Sequence, residues 1–188
     1  AKLAAVGCEV EIEILKSAIG KQDQYAAAFG GLNFIRFNQD GTVSVAPIMM
    51  QAETYKKLKK NLMMFYTGTT RSANGILSEQ KKNIAQEDKT KNLLKMCDLA
   101  YELKDALDHN DVSSFGDILN TGWELKRSLA SGISNPEIDR AYEIAMKNGA
   151  LGGKLLGAGG GGFLLFYWRE EMQDRLRNAM GLQEVEFG

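Results

Sequence analysis

Histidine and cysteine are almost missing from this sequence: His109 is the single histidine, and Cys8 and Cys97 are the two cysteines, in 188 residues. The cysteines lie far apart with no Cys or His close to either. That excludes a disulfide framework and a Cys/His zinc site, and it makes a reducing cytoplasm the natural compartment. An excess of charge is absent too, because 23 Lys and Arg stand against 24 Asp and Glu for a formal net charge of -1. Nucleic acid or an anionic membrane therefore has no electrostatic claim as a partner. Long apolar runs are lacking as well. Phe163 to Trp168 is the longest, far below the roughly 20 residues that cross a bilayer. What remains, 44% hydrophobic and 25% charged, is the composition of a soluble globular protein with one sizeable core, or one core and part of a second.

An initiator methionine and a signal sequence are also lacking. The chain opens directly into Ala1–Lys16, where Leu3, Val6, Val10 and Ile14 recur at helical spacing. Such a stripe needs something to pack against, so the expectation is that an N-terminal portion precedes Ala1.

Turning to what is present, Gly20 to Gly31 reads as a loop entering a short Ala-rich helix that Gly30 and Gly31 end. Leu32–Phe37 and Thr42–Ile48 read as strands around the hairpin turn Asn38-Gln-Asp-Gly41. Glu53–Asn61 follows as a basic helix and Leu62–Tyr66 as an apolar strand. Ala73 to about Gln80, Asp88–His109, Val112–Leu129 and Pro136–Asn148 have helical period, with His109 at a helix end. Asn135-Pro136 is a start signal and Asn148-Gly149 a stop. Phe163–Trp168 reads as a buried strand, Glu170–Met180 as a helix and Glu184–Phe187 as a last strand. The fold class is α+β with a helical insert.

Gly157-Ala158-Gly159-Gly160-Gly161-Gly162 is the most unusual stretch. Glycine has the most backbone entropy to lose on folding, so this run implies a geometry that only glycine supplies. Two geometries qualify: a turn whose bare N–H groups face an anion, or a close approach of two backbones. The run contains G-x-G-x-x-G, but a strand follows it where a dinucleotide fold needs a helix. A Walker P-loop is excluded as well, because Gly20-Lys21 and Gly153-Lys154 are followed by Gln22 and Leu155 rather than Ser or Thr.

Asp23, in Gly20-Lys-Gln-Asp-Gln-Tyr25, also has two readings. It can cap the helix that follows, or it can orient a substrate hydroxyl and accept its proton, with Lys21 nearby to hold the charge. Phosphoryl transfer asks a protein for positioning, charge neutralisation and such a base.

Together the two segments resemble the GHMP kinases, the family of galactokinase, homoserine kinase, mevalonate kinase and phosphomevalonate kinase. Lys154-Leu-Leu-Gly-Ala-Gly-Gly-Gly-Gly-Phe163 is similar to that family's third motif, the C-terminal glycine loop beside nucleotide and substrate. Gly20-Lys-Gln-Asp-Gln24 resembles the segment with the catalytic aspartate, here Asp23. The run from Gly20 to Asn33 and Tyr66-Thr-Gly-Thr-Thr-Arg71 are similar to the branch that phosphorylates D-glycero-D-manno-heptose 7-phosphate.

The resemblance implies that residues 1–40 end a GHMP N-terminal domain, and that 41–188 form a ferredoxin-like C-terminal domain with additional helices. It implies ATP and Mg2+, a phosphosugar acceptor, catalysis by Asp23, and a glycine loop from Gly157 to Gly162 that stabilises negative charge. Lys21, Gln22, Gln24, Tyr25 and Arg71 become candidate substrate contacts; Arg71 reads equally well as an idle surface charge. The sequence names no metal ligand. The family's Pro-x-x-x-Gly-Leu-x-Ser-Ser phosphate loop is absent from these 188 residues, so they are expected to be inactive alone. A dimer that covers the first helix is the alternative way to bury its stripe.

Overall fold

A computed structural model describes residues 1–69 and 73–187. The chain divides into two compact units, Ala1–Met50 and Gln51–Gly188. The division falls past Asp40 because the hairpin keeps its second strand with its first.

In the first unit, α1 (Lys2–Cys8) runs into a π-helical turn over Glu9–Ile14. The expected single helix therefore loosens, with the Leu15 amide reaching back to the Val10 carbonyl at 2.9 Å. Lys16, at φ 53°, ends it. The apolar stripe stays exposed in this chain, at 73% for Leu3, 47% for Val6, 42% for Val10 and 66% for Ile14. Next comes α2 (Gln22–Phe29), which Gly30 ends at φ 61°. Then β1 (Asn33–Phe37) and β2 (Val43–Pro47) pair antiparallel, Ile35 opposite Val45. Gly41, at φ 83°, makes the turn between them. Asp40 Oδ1 accepts from the Thr42 hydroxyl at 2.6 Å and from its amide at 2.9 Å. Those bonds, the hydroxyl's first, hold the Asp40 carboxyl below its usual range.

The second unit is built on a 4-stranded sheet of β3 (Leu62–Tyr66), β4 (Gly152–Leu155), β5 (Phe163–Tyr167) and β6 (Gln183–Glu184). Their order is β4-β5-β3-β6 and each neighbouring pair is antiparallel. With helices between β3 and β4 and between β5 and β6, this is the βαββαβ pattern of a ferredoxin-like domain. The extra helices α3 (Ala52–Lys60), α4 (Ala73–Asn83), α5 (Glu87–Asp108), α6 (Phe115–Arg127) and α7 (Pro136–Lys147) surround it, with α8 (Gln173–Met180) after a 3₁₀ turn.

Strand alternation puts Met63, Phe65, Leu155, Leu164 and Phe166 on one sheet face, and all are buried. Ile138, Tyr142 and Ala145, at i, i+4 and i+7 of α7, meet them together with Trp123 and Leu176. Each such fully buried large side chain contributes about 1.5–3 kcal/mol. Burial also pushes the Tyr142 hydroxyl up to about 12, and that hydroxyl donates to Asn120 Oδ1 at 2.7 Å.

The second unit also differs from expectation in places, and its last strand covers Gln183–Glu184 rather than Glu184–Phe187. β4 lies inside what reads as a glycine-rich loop, since Gly152-Gly153 hides a strand. α6 begins at Phe115 rather than Val112 because Asp111 Oδ1 takes the Ser113 amide at 2.7 Å in a turn. His109 ends α5 and is exposed, as its position in the sequence suggests.

Candidate active site

The first group of site residues is gathered on α2 and its N-terminal edge. Lys21 stands at the N-cap, so Asp23 lies inside the first turn and is not the cap. The Asp23 side chain is exposed, and a carboxylate there is favoured by the amide ends of the helix. Gln22 precedes it, also exposed. Lys21 extends its ammonium to the Gly41 carbonyl at 3.4 Å. Gln24 turns the other way: its amide donates to Glu11 Oε2 at 2.9 Å and its Cβ–Cγ stem lies where Gly7 has no side chain. Tyr25 stacks on Phe29 at 6.3 Å and meets Phe37 edge-on at 6.1 Å. Gln24 and Tyr25 thus hold α2 against α1 and the hairpin, which leaves Asp23, Gln22 and Lys21 as the outward polar groups of this segment.

The second group is the glycine loop. It joins β4 to β5, and the Leu156 amide donates to the Phe163 carbonyl at 2.8 Å to close its base. A Cβ on Gly159 would lie 2.7 Å from Ile133 Cα, and one on Gly161 2.6 Å from the Thr69 carbonyl oxygen. Close approach therefore accounts for those two glycines. Gly157 has nothing within 4 Å of such a Cβ, but its φ of 76° is costly for other residues. The Gly160 amide donates to the Ile133 carbonyl at 2.9 Å and the Gly162 amide to the Thr69 carbonyl at 2.8 Å. The amides of Gly157, Ala158, Gly159 and Gly161 have no acceptor among the described residues.

Three supports hold this loop that the sequence does not announce. The Thr67 hydroxyl lies 3.0 Å from both the Gly162 amide and the Gly162 carbonyl, pinning the end of β3 to the loop. The Ser128–Asn135 connection carries Ile133, and Glu79 anchors it by accepting the Ser131 amide at 2.9 Å. That bond, with the one from the Ser131 hydroxyl, lowers the Glu79 carboxyl below its ordinary value. Asn135 caps α7, its Oδ1 accepting the Glu137 and Ile138 amides at 3.0 Å each. Asn135→Ala is expected to cost about 1–2 kcal/mol of stability, the worth of a good cap; urea unfolding measures it, and an unchanged midpoint would deny the capping role. Beside Thr67 and Thr69 opens a cavity of about 210 Å³, lined also by Glu137, Ile138, Ala141 and Leu182.

Lys154, on β4 just before the loop, is half-buried and has no ion-pair partner among the described residues. Burial lowers its pKa because the charged form loses hydration. A lysine lowered in the folded state is held less tightly as a cation there than in the unfolded chain. Its penalty is therefore full below the lowered value and relieved as pH rises past it towards the unfolded one. Lys154→Met is expected to raise Tm at pH 7, with a gain that shrinks in alkaline buffer. A fall in Tm at pH 7 would contradict it.

Arg71 lies outside the described residues. Among the described residues no group of three or more His, Cys, Asp or Glu could hold a metal ion, and no helix is long and apolar enough to cross a membrane.

Residues 103–184 match the protein family described as GHMP kinases C terminal. The D-glycero-alpha-D-manno-heptose 7-phosphate kinase of Campylobacter jejuni is 34% identical over 166 residues, which cover 88% of this chain and 49% of that protein. The L-fucokinase/L-fucose-1-P guanylyltransferase of Bacteroides fragilis is 31% identical over 158 residues, 81% of this chain and 16% of that protein. The crystal structure of a D-glycero-D-manno-heptose 1-phosphate kinase from Bacteroides thetaiotaomicron superimposes with a TM-score of 0.64 at 27% identity, covering 97% of this chain and 50% of that one. The chain thus spans about half the length of the heptose kinases it matches, and less of the fucokinase. In its strand order, its glycine loop and its relatives, the chain carries a GHMP kinase C-terminal domain.

Proposed function

We propose that this chain is the acceptor-side and glycine-loop portion of an ATP-dependent sugar kinase acting on a heptose 7-phosphate. The observation that carries this is a glycine loop, four of whose amides have no acceptor among the described residues, in a GHMP C-terminal domain of a chain 34% identical to a heptose 7-phosphate kinase. Asp23 takes the proton of the acceptor hydroxyl as its oxygen bonds to the γ-phosphorus. The bond from that phosphorus to the β–γ bridging oxygen breaks, and ADP leaves. The amides of Gly157–Gly159 and Gly161 donate to phosphate oxygens, and fixed donors of this kind stabilise the charge that builds in transfer without reorganising.

The donor set fits an ATP or sugar phosphate. It does not fit a resident metal, since the described residues offer no cluster of ligands, so no step is assigned to a metal held by this chain. Magnesium is proposed to arrive with ATP. Lys21 and Gln22, just before Asp23, bind acceptor hydroxyls, and Arg71 binds the acceptor's own phosphate. The activity is proposed for the kinase that contains this chain together with the phosphate loop its 188 residues lack.

The 31% identity to a fucokinase favours, as a second reading, a different sugar on the same machinery. A coupled ADP-release assay of the whole kinase against D-glycero-D-manno-heptose 7-phosphate, L-fucose, galactose and mevalonate decides between them. The highest kcat/KM is expected with the heptose phosphate. Turnover of fucose instead would move the assignment to the second reading, and no turnover with any acceptor would remove the kinase reading.

A further inference from the structure

We infer that Lys126 is a phosphate-binding residue of the glycine loop, supplying the positive charge that a row of neutral amides lacks. The inference rests on the kinase reading above only for the source of the phosphate. Two cations stand side by side in the last turn of α6. Arg127 is committed to carboxylates, with Glu124 at 3.2 Å and Asp139 at 3.3 Å, and so ties α6 to α7. Lys126 donates from its ammonium to the carbonyl of Gly157, the first residue of the glycine run. That contact fixes a full charge at the entrance of the loop.

The entrance also holds the amides of Gly157, Ala158 and Gly159, which have no acceptor among the described residues. The far half is turned inward through the Gly160 and Gly162 amides. In the near half, φ is 76° at Gly157 and 123° at Gly159, and Ala158 between them is not among the positive-φ residues. Such alternation points successive N–H groups to one side and makes an anion-binding concavity. Gly159 is moreover buried, and a buried amide calls for an acceptor from protein, water or ligand. An ammonium beside converging amides recognises a phosphate monoester or polyphosphate, since charged donors bind phosphate oxygens about twice as strongly as neutral ones.

A tether explains the Gly157 contact equally well, so the test must separate charge from hydrogen bonding. Lys126→Gln keeps a donor for the Gly157 carbonyl and removes the charge; Lys126→Arg keeps the charge. Inorganic tripolyphosphate is titrated into the chain and the amide resonances of Gly157, Ala158 and Gly159 are followed by NMR. Saturable shifts are expected in the unsubstituted chain, with Kd weakened about 10-fold or more in Lys126→Gln and kept within about 3-fold in Lys126→Arg. Equal affinity of Lys126→Gln and the parent chain, or an absence of shifts at these amides, overturns the inference. Repeating the titration with ATP and with mannose 6-phosphate identifies the source, as the ligand whose binding the glutamine variant weakens more. A chain that binds tripolyphosphate through Lys126 while the whole kinase phosphorylates no acceptor would sink the kinase reading and leave this site standing.

Discussion

Asp23→Asn in the whole kinase is expected to lower kcat by about 100- to 10,000-fold, the span that a positioned general base contributes, while Tm hardly changes. The two halves of this expectation come from different observations. The carboxylate lies in the first turn of α2, exposed and making no capping bond. The isosteric amide therefore removes the basic group without removing a support of the fold. The side chains that do hold this segment are its neighbours, Gln24 through Glu11 and Tyr25 through Phe29 and Phe37. Steady-state kinetics with a coupled ADP readout, beside a thermal melt of the same preparation, measures both. An unchanged kcat would leave Asp23 as a solvated helix residue, and a large fall in Tm would make it a structural one.

Gly152→Ala is expected to be the most damaging small substitution to stability, at about 3 kcal/mol or more. The cause is the contact between α6 and β4. A Cβ at Gly152 would lie 1.8 Å from the Gly116 carbonyl oxygen and 2.6 Å from its carbonyl carbon. Relief cannot come from Gly116, because its own Cβ position is 2.6 Å from Leu151 Cβ. Helix and strand touch backbone to backbone, so a methyl group must push one of them away, and β4 is the strand that leads into the glycine loop. Gly157→Ala provides the contrast. Its side is open, so only the positive φ opposes it, and about 1 kcal/mol is expected. Urea unfolding of both variants measures the difference. Loss of less than about 0.5 kcal/mol in Gly152→Ala would show that α6 and β4 do not approach as described.

How far the sequence revealed this structure depends on the range of the forces involved. Leu62–Tyr66, the hairpin around Asn38–Gly41 and the Asn135-Pro136 helix start were legible because strand period, turn residues and caps act within a few positions. The glycine run was legible as unusual, yet its two readings could not be separated from sequence, since the backbones that crowd Gly159 and Gly161 come from Ile133 and Thr69. β4 was missed for a related reason. Its glycines have no side chains to mark a strand period, and what makes it a strand is pairing with β5 on one edge and close packing of α6 against Gly152. Lys126, Thr67 and Asn135 went unremarked as site residues because each reaches the loop across a long stretch of chain. The π-helical turn at Glu9–Ile14 carries no proline or glycine to announce it.

The central proposal is that Asp23 and the amides of Gly157–Gly159 and Gly161 serve one transferred phosphate. A crystal structure of the whole kinase with a non-hydrolysable ATP analogue and its sugar acceptor tests this most directly. The account expects the Asp23 carboxylate within hydrogen-bond distance of the acceptor hydroxyl and the loop amides on the phosphate facing it. Nucleotide and acceptor bound with Asp23 and the loop lining separate cavities would contradict it.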